Sequence, residues 1–564
     1  MRAYRTFLPL QILIYLVFAC CAQAQDWPTF RHDNARTGAQ PVASSLSNPE
    51  EVRKLSVRWE FPQASSGIQV QPFFAAPIVV GDTVFIGNRN GYFYALDAAT
   101  GALKWQFPPD GQPLVVPDSP FASYTGIQTS ATYWDRQPNG AVIFPAQDPS
   151  LGPYGSARLF AVDAKLGTLI WKSDVLAQVD SLEQGNITQR HENIQHSSPL
   201  VLDNVVYVGV QSYENPTQIG RIVAVDITTG HRIPDSTFQF QAVGTPASPA
   251  GTVRGGGIWN APATDGDDIY FTTGNTNRDN GNTRLPAEPT PNDGVSMVKI
   301  DRASGKKKWA YKTVPYSSEC DSDWAAGATV MNTSCGRLIA SVQKDGWSYA
   351  IEAASTPSCP LTGHSWQFPP TTKGCMFPEN TCPSNPKQGP LQDMAPHGDE
   401  DYRRAGAAWN DVYIVRTGGE SRNEDPPTVG YGRLHALNAC AATESNRVRW
   451  IADVLSDSPG RAYSVGVPTV TGGIVFVGTD KGHLVVFADP SVAPAAGFRC
   501  SNVNYVTAED CRAAGKTLVP IPQTLADVQV SDGGSLMTIR AEPVLANGRV
   551  FVATLKGHVY MLQP

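Results

Sequence analysis

A short pattern returns along this chain, and its recurrence sets what the chain can build. Ala95-Leu96-Asp97-Ala98-Ala99-Thr100-Gly101-Ala102-Leu103-Lys104-Trp105 comes back as Ala161-Val162-Asp163-Ala164-Lys165-Leu166-Gly167-Thr168-Leu169-Ile170-Trp171. Shorter copies are Ala224-Val225-Asp226-Ile227-Thr228-Thr229-Gly230 and Lys299-Ile300-Asp301-Arg302-Ala303-Ser304-Gly305, the latter closing at Trp309. A degenerate copy runs from Ala436-Leu437-Asn438 to Trp450. Alternating residues give a strand with one buried face. The Asp bonds turn amides and the Gly supplies a positive φ. The chain returns as a strand whose Trp packs between neighbouring sheets. Another hairpin precedes each copy, as at 79–87, 201–209, 470–478 and 544–553. Four short strands per repeat make one propeller blade. The repeated Trp, Asp and Gly are therefore assigned to architecture.

Blades begin near Ala76, Thr129, Ser198, Ile258, Ala325, Ala405, Val465 and Ala541, which makes eight. The last lacks an outer strand after Leu562, and Ser56-Val57-Arg58-Trp59-Glu60-Phe61 fits that vacancy. The expected fold is an all-β, eight-bladed β-propeller closed by an N-terminal strand that completes the last blade. Closure hides sheet edges that would otherwise pair with other chains. Residues 25–564 form one domain, with Pro-, Cys- and Gly-rich insertions expected at 355–403 and 490–538. Of the 564 residues 41% are hydrophobic, enough for a large core, and 17% are charged, too few for a solvated polymer. A formal charge of −7 argues against a nucleic-acid-binding surface.

Residues 1–24 resemble a secretory signal. Arg2 and Arg5 precede an apolar run from Phe7 to Phe18, too short for a membrane span, and Ala22-Gln23-Ala24 is an A-x-A cleavage site. A lipoprotein signal at Cys20 and Cys21 is the rival. Cleavage at Gln25 removes two arginines and no acid, taking the charge to −9. The expected location is periplasmic or secreted, and no later stretch is long enough to span a membrane. Eight cysteines then remain, an even number that suggests disulfides in an oxidising compartment. The short spacings suggest Cys320–Cys335 and Cys500–Cys511. The pairing of Cys359, Cys375, Cys382 and Cys440 is open, and a zinc site is the weaker alternative for want of a CxxC pair. No CxxCH occurs, so no c-type haem is attached to this chain.

The AxDxxTGxxxW pattern resembles the repeat of the pyrroloquinoline quinone (PQQ)-dependent alcohol dehydrogenases. The opening Asp26-Trp27-Pro28-Thr29-Phe30-Arg31-His32-Asp33-Asn34-Ala35-Arg36-Thr37-Gly38 is similar to their start, and looks closest to the polyvinyl alcohol dehydrogenase branch. The resemblance covers nearly all of 25–564 and implies site residues one by one. Gly209-Val210-Gln211-Ser212-Tyr213-Glu214 occupies the place of G-N-x-G-A-E, which makes Glu214 a metal ligand. Ile269-Tyr270-Phe271-Thr272-Thr273-Gly274-Asn275 resembles Y-x-G-T-G-N, which makes Asn275 another. Cys320-Asp321-Ser322-Asp323-Trp324 resembles the segment with the catalytic Asp, aligned here to Asp323 with Asp321 as substitute. Gln343-Lys344-Asp345-Gly346-Trp347 resembles the strand whose cation touches the quinone, selecting Lys344. Gly256-Gly257-Ile258-Trp259-Asn260 is a softer match to the segment whose Trp lies under the flat cofactor, selecting Trp259. His196, at the start of a blade strand, is either a cofactor contact or a structural histidine.

These residues make coherent chemistry. Calcium takes hard oxygens, and Glu214, Asn275 and Asp323 offer them from separate blades. Asp323 would accept an alcohol proton, and Lys344 would stabilise negative charge on a reduced quinone. The implied activity is oxidation of an alcohol, polymeric or secondary included, by hydride transfer to PQQ over calcium. Electrons would pass to a separate cytochrome c or other acceptor. The chain departs from many such enzymes in having no adjacent cysteine pair in its mature part. Competing readings are a protein-binding scaffold, or a polymer-binding propeller with Trp366 and Phe377 as an open stacking platform.

Overall fold

A computed structural model describes residues 25–63, 68, 71–109, 111–115, 126–151, 156–177, 192–212, 219–242, 256–274, 293–313, 324, 326–343, 347–358, 361–368, 405–417, 432–454, 466–501, 507–530 and 539–564. Its strands form eight antiparallel four-stranded sheets, one of them extended by the short strand Glu192–Asn193. Blades one to eight start with the inner strands Ile78–Val80, Thr132–Trp134, Leu200–Leu202, Ala263–Thr264, Thr329–Thr333, Ala407–Trp409, Thr469–Thr471 and Val544–Ala546. The last blade is completed by Ser56–Phe61, which pairs antiparallel with Val559–Gln563. The eight-bladed expectation and its N-terminal closing strand both hold. Among the described residues no helix is long and apolar enough to cross a membrane.

The repeated residues join one blade to the next. The Asp97 carboxylate accepts the amides of Ala99 and Thr100, at 3.1 and 2.9 Å, and Gly101 follows with φ +72°. This shapes a knob onto which the outer-strand Trp of the preceding blade docks. The Trp59 indole donates to Ala98 O at 3.3 Å, Trp105 to Ala164 O at 3.1 Å and Trp171 to Ile227 O at 2.8 Å. Each indole lies against the turn glycine of its neighbour, so the Trp and the Gly are two halves of one contact. Trp366 belongs to the same set: it is buried and donates to Ala439 O at 2.9 Å. It therefore forms no open stacking platform; Phe377 lies outside the described residues.

Two expectations about cysteines and insertions need correction. Cys335 pairs with Cys440, not with Cys320, with Cα atoms 5.7 Å apart. Cys335 sits in the turn Thr333–Gly336 of blade five, and Cys440 follows the third strand Arg433–Asn438 of blade six. The same turn bonds Asp411 of blade six through Ser334 N–H at 2.7 Å. Proximity here comes from neighbouring blades, which short sequence spacing cannot register; Cys320 lies outside the described residues. Cys500–Cys511 forms as expected. Both expected insertions overlap outer strands: Trp366–Phe368 completes blade five and Gln523–Gln529 completes blade seven.

The part of the second insertion around Gly497–Cys500 is tied to blade six. Arg499 and Arg433 both pair with Asp453, each at 2.7 Å. His435 is buried beside them. Burial pushes its pKa down to about 3, and the Arg433 and Arg499 charges push the same way.

A second closure lies on the axis. The inner strand of each blade turns a free backbone edge inward, and residues 27–40 pair with these edges in ring order. Trp27 exchanges two backbone bonds with Val79 of blade one, and Pro28 O accepts from Tyr133 of blade two. Asn34 donates its side chain to Val201 O of blade three and accepts at its carbonyl from Thr264 of blade four. The carbonyls of Ala35, Thr37 and Gly38 accept from Val330, Ala408 and Val470 of blades five, six and seven, at 2.8, 2.8 and 3.0 Å. Gln40 finishes the circuit on Leu545 O of blade eight, at 3.1 Å. So tight a curl uses left-handed backbone at Arg31, His32, Arg36 and Gly38. For the three residues that are not glycine this costs about 1–2 kcal/mol each, offset by the edges they satisfy.

Two predictions follow from these contacts. A Cβ at Gly167, φ +69°, would come 2.7 Å from the Trp105 ring, whereas one at Gly81, φ +58°, meets nothing within 4 Å. Gly81→Ala is expected to cost about 1 kcal/mol from backbone strain alone, and Gly167→Ala at least about 2 kcal/mol more, read from urea midpoints. The lowered pKa of His435 means that the unfolded chain takes up a proton below pH ~6.5 that the folded chain refuses. This group's contribution to stability therefore falls with pH from there towards pH 3, by up to about 1.4 kcal/mol per unit. His435→Gln should flatten that part of a stability–pH curve.

Candidate cofactor site at the propeller axis

The antiparallel order puts the turns between first and second strands on one face. The loops between second and third strands, and the connections between blades, fall on the other. Glu214, Asn275 and Lys344 follow second strands, of blades three, four and five, and Asp323 lies in the connection into blade five. All four, with Asp321, lie outside the described residues. Their flanks are well held. The strand ahead of Glu214 ends at Gln211 and Ser212, which pair with Asn193 and Glu192, and Glu192 grips Arg221 at 2.5 and 2.8 Å. Ahead of Asn275, Gly274 N–H donates to Gly257 O at 2.8 Å. Trp324, after Asp323, is buried with its ring 5.1 Å from that of Tyr349. Gln343 N–H donates to Trp347 O at 2.8 Å across the segment that carries Lys344.

Trp259 and His196 are described. Trp259 is half-buried between buried Ile258 and Asn260. Gly274 flanks its indole, and a Cβ there would come 3.2 Å from Nε1. His196 is buried, with Nδ1 2.9 Å from Gln211 Oε1 and Nε2 3.0 Å from Gln128 Oε1. Both ring nitrogens are thus engaged by glutamines of blade three and the approach to blade two, the arrangement of a structural histidine.

The sequence reading missed the residues beneath. Arg31 and Arg36 reach from the 27–40 ring into the centre, and both are fully buried. Arg31 donates to Pro468 O at 2.7 Å and Gly406 O at 2.5 Å. Its backbone N–H meets Glu542 Oε1 at 2.7 Å, and Nη1 lies 3.5 Å from Oε2. Arg36 donates to Pro262 O, Pro199 O and Thr29 Oγ1, at 2.9, 3.1 and 2.7 Å. Burial lowers the pKa of both, Arg36 to about 10, which leaves Arg36 charged at neutral pH. Burial raises the pKa of Glu542, against the pull of Arg31. Gly38 leaves room for this cluster, since a Cβ there would overlap the Arg31 guanidinium. A signal was available. Inner strands are entered by Ala76-Pro77, Ser198-Pro199, Ala261-Pro262 and Val467-Pro468, and blade eight alone substitutes an acid, Glu542-Pro543.

The half-open indole of Trp259 thus stands three residues before Pro262, whose carbonyl the buried Arg36 guanidinium holds. A planar aromatic acid suits such a site, because indole stacks on flat rings and arginine attracts carboxylates. Among the described residues no three His, Cys, Asp or Glu side chains cluster as a metal site.

Comparison with known proteins gives the class. Residues 27–355, more than half the chain, match the PQQ family described as glucose/ethanol/alcohol dehydrogenase, beta-propeller domain, and the chain belongs to that family. It is 23% identical over 533 residues to the quinohemoprotein alcohol dehydrogenase of Comamonas testosteroni, covering 83% of this chain and 68% of that one. It is 25% identical over 315 residues to the polyvinylalcohol dehydrogenase of Sphingopyxis sp., covering 54% of this chain and 42% of that one. The polyvinyl alcohol branch is thus one of several relatives at similar identity. Among solved structures, the quinohemoprotein alcohol dehydrogenase ADHIIG of Pseudomonas putida HK5 superposes with a TM-score of 0.63. That match has 16% identity and covers 96% of this chain and 80% of the other, which establishes the shared fold.

Removing one partner of the axial pair should be costly. Arg31→Ala strands Glu542 in the core and is expected to lower stability by at least about 3 kcal/mol. Arg31→Ala with Glu542→Gln should recover part of that loss in the same denaturation measurement.

Proposed function

We propose that this protein is an exported PQQ-dependent alcohol dehydrogenase. The observation that carries the reading is a half-open Trp259 three residues before the Pro262 carbonyl held by buried Arg36, in a propeller of the quinoprotein family. Bound PQQ would supply the hydride acceptor. Trp259 would hold it flat from one side. Glu214, Asn275 and Asp323 would hold a hard cation, calcium in this reading, through carboxylate and amide oxygens. Asp323 would also accept the hydroxyl proton of the alcohol at a carboxylate oxygen. The Lys344 ammonium would donate to a ligand oxygen that gains negative charge. His196, engaged by two glutamines, would act by fixing Gln211 at the end of the strand that leads to Glu214. The mature chain would release electrons to a separate cytochrome c or another external acceptor. The disulfides Cys335–Cys440 and Cys500–Cys511 support an oxidising compartment, periplasmic or extracellular.

The test is reconstitution of the purified protein with PQQ and calcium, followed by dye reduction with primary, secondary and polymeric alcohols. Turnover should require both additions. Asp323→Ala should lower kcat by about 100-fold or more, and Glu214→Gln should raise the calcium concentration needed. A protein that binds no PQQ under these conditions would defeat the reading and turn attention to a scaffold role.

A further inference from the structure

Arg36 poses a problem that its structural bonds do not solve. It is fully buried, and each acceptor it meets is a neutral oxygen: the carbonyls of Pro262, Pro199, Phe30 and Asp33, and the Thr29 hydroxyl. Among the described residues Glu542 is the one carboxylate that touches either axial guanidinium, and it touches Arg31. A buried cation without a carboxylate is costly to keep, and an apolar side chain could fill the same space. The bonds to Pro199 and Pro262 also place the charge. Trp259 is three residues upstream of Pro262, which is at most about 10 Å of chain. Ser197 Oγ donates to Asn260 O at 3.0 Å, so the segments approaching blades three and four are bound together between the two levels.

We infer that Arg36 is an electrostatic positioning residue, whose charge, touched by no carboxylate among the described residues, favours an anionic ligand over the neutral form of that ligand on the propeller axis. The inference rests on the PQQ reading and extends it, since PQQ is an aromatic tricarboxylate. Arg36 touches no ligand atom in this scheme. It acts through the field of one buried charge: at an effective dielectric near 20, a separation of about 10 Å would change affinity by about tenfold for a single ligand charge. Glu542 opposes it from the blade-eight side. The Asp33 carboxylate, bonded to Thr37 at 2.6 and 3.0 Å, opposes it more strongly than Glu542 does, without touching the guanidinium.

The experiment varies charge on both partners. Dissociation constants for PQQ and for its neutral trimethyl ester are measured by quenching of tryptophan fluorescence, with calcium present, on the full protein and on Arg36→Lys and Arg36→Met. Arg36→Met should weaken PQQ by about tenfold or more and leave the ester unchanged. Arg36→Lys keeps the charge and should leave both unchanged, even where it lowers the melting temperature. If Arg36→Met does not fold, Glu542→Gln carries the test with the opposite sign, tightening PQQ and not the ester. Equal weakening of both ligands by Arg36→Met, or no change in either, would overturn the inference and leave Arg36 a structural staple. Failure of the unaltered protein to bind PQQ would instead remove the quinone reading, and this inference with it.

Discussion

The structure depends on how eight free strand edges around one axis find partners. Any propeller sheet has an inner edge, and its amides and carbonyls are too buried to be left to water. Here one stretch, 27–40, bonds to all eight inner strands in ring order. Its left-handed residues and its two arginines follow from that requirement. A segment that must curl within the diameter of the axial channel cannot stay extended, and its centre must be filled. Guanidinium groups fill it well, because several donors in one plane can meet carbonyls from blades three, four, six and seven at once.

Much of the architecture was legible because it is local. The Asp, the Gly and the Trp of each repeat stand within eleven residues, and each acts on the turn or on the adjacent blade. The closing strand 56–61 was legible for the same reason: it carries the expected Trp, and the last blade lacked one. Cys335 found Cys440, 105 residues away, through the packing of neighbouring blades, and spacing alone favoured the wrong partner. The insertions were drawn too wide because outer strands such as Gln523–Gln529 bear weak copies of the pattern.

The site divides along the same line. Trp259 stands out in sequence as an aromatic among glycines, and the structure leaves it partly open beside Gly274. His196 looked equally suggestive, yet two glutamines hold both of its nitrogens. Nothing local in Arg31, Arg36 and Glu542 marks them as a group. Arg31 and Glu542 are 511 residues apart, and only the axis brings them together. The oxygen donors proposed for the metal stand outside the repeated pattern, where no periodicity constrains the reading, and resemblance alone selected them.

The ring is closed twice, and both closures use the beginning of the chain to secure its end. The strand 56–61 and the circuit 27–40 leave a ribosome before the first blade, while their partners at 544–563 leave after the first seven. Neither contact can form until blade eight has been made, so this segment must wait through seven blades without its final partners. Such non-local pairing slows folding. With its two clasps separated by most of the propeller sequence, the ring cannot lock shut before blade eight has been made.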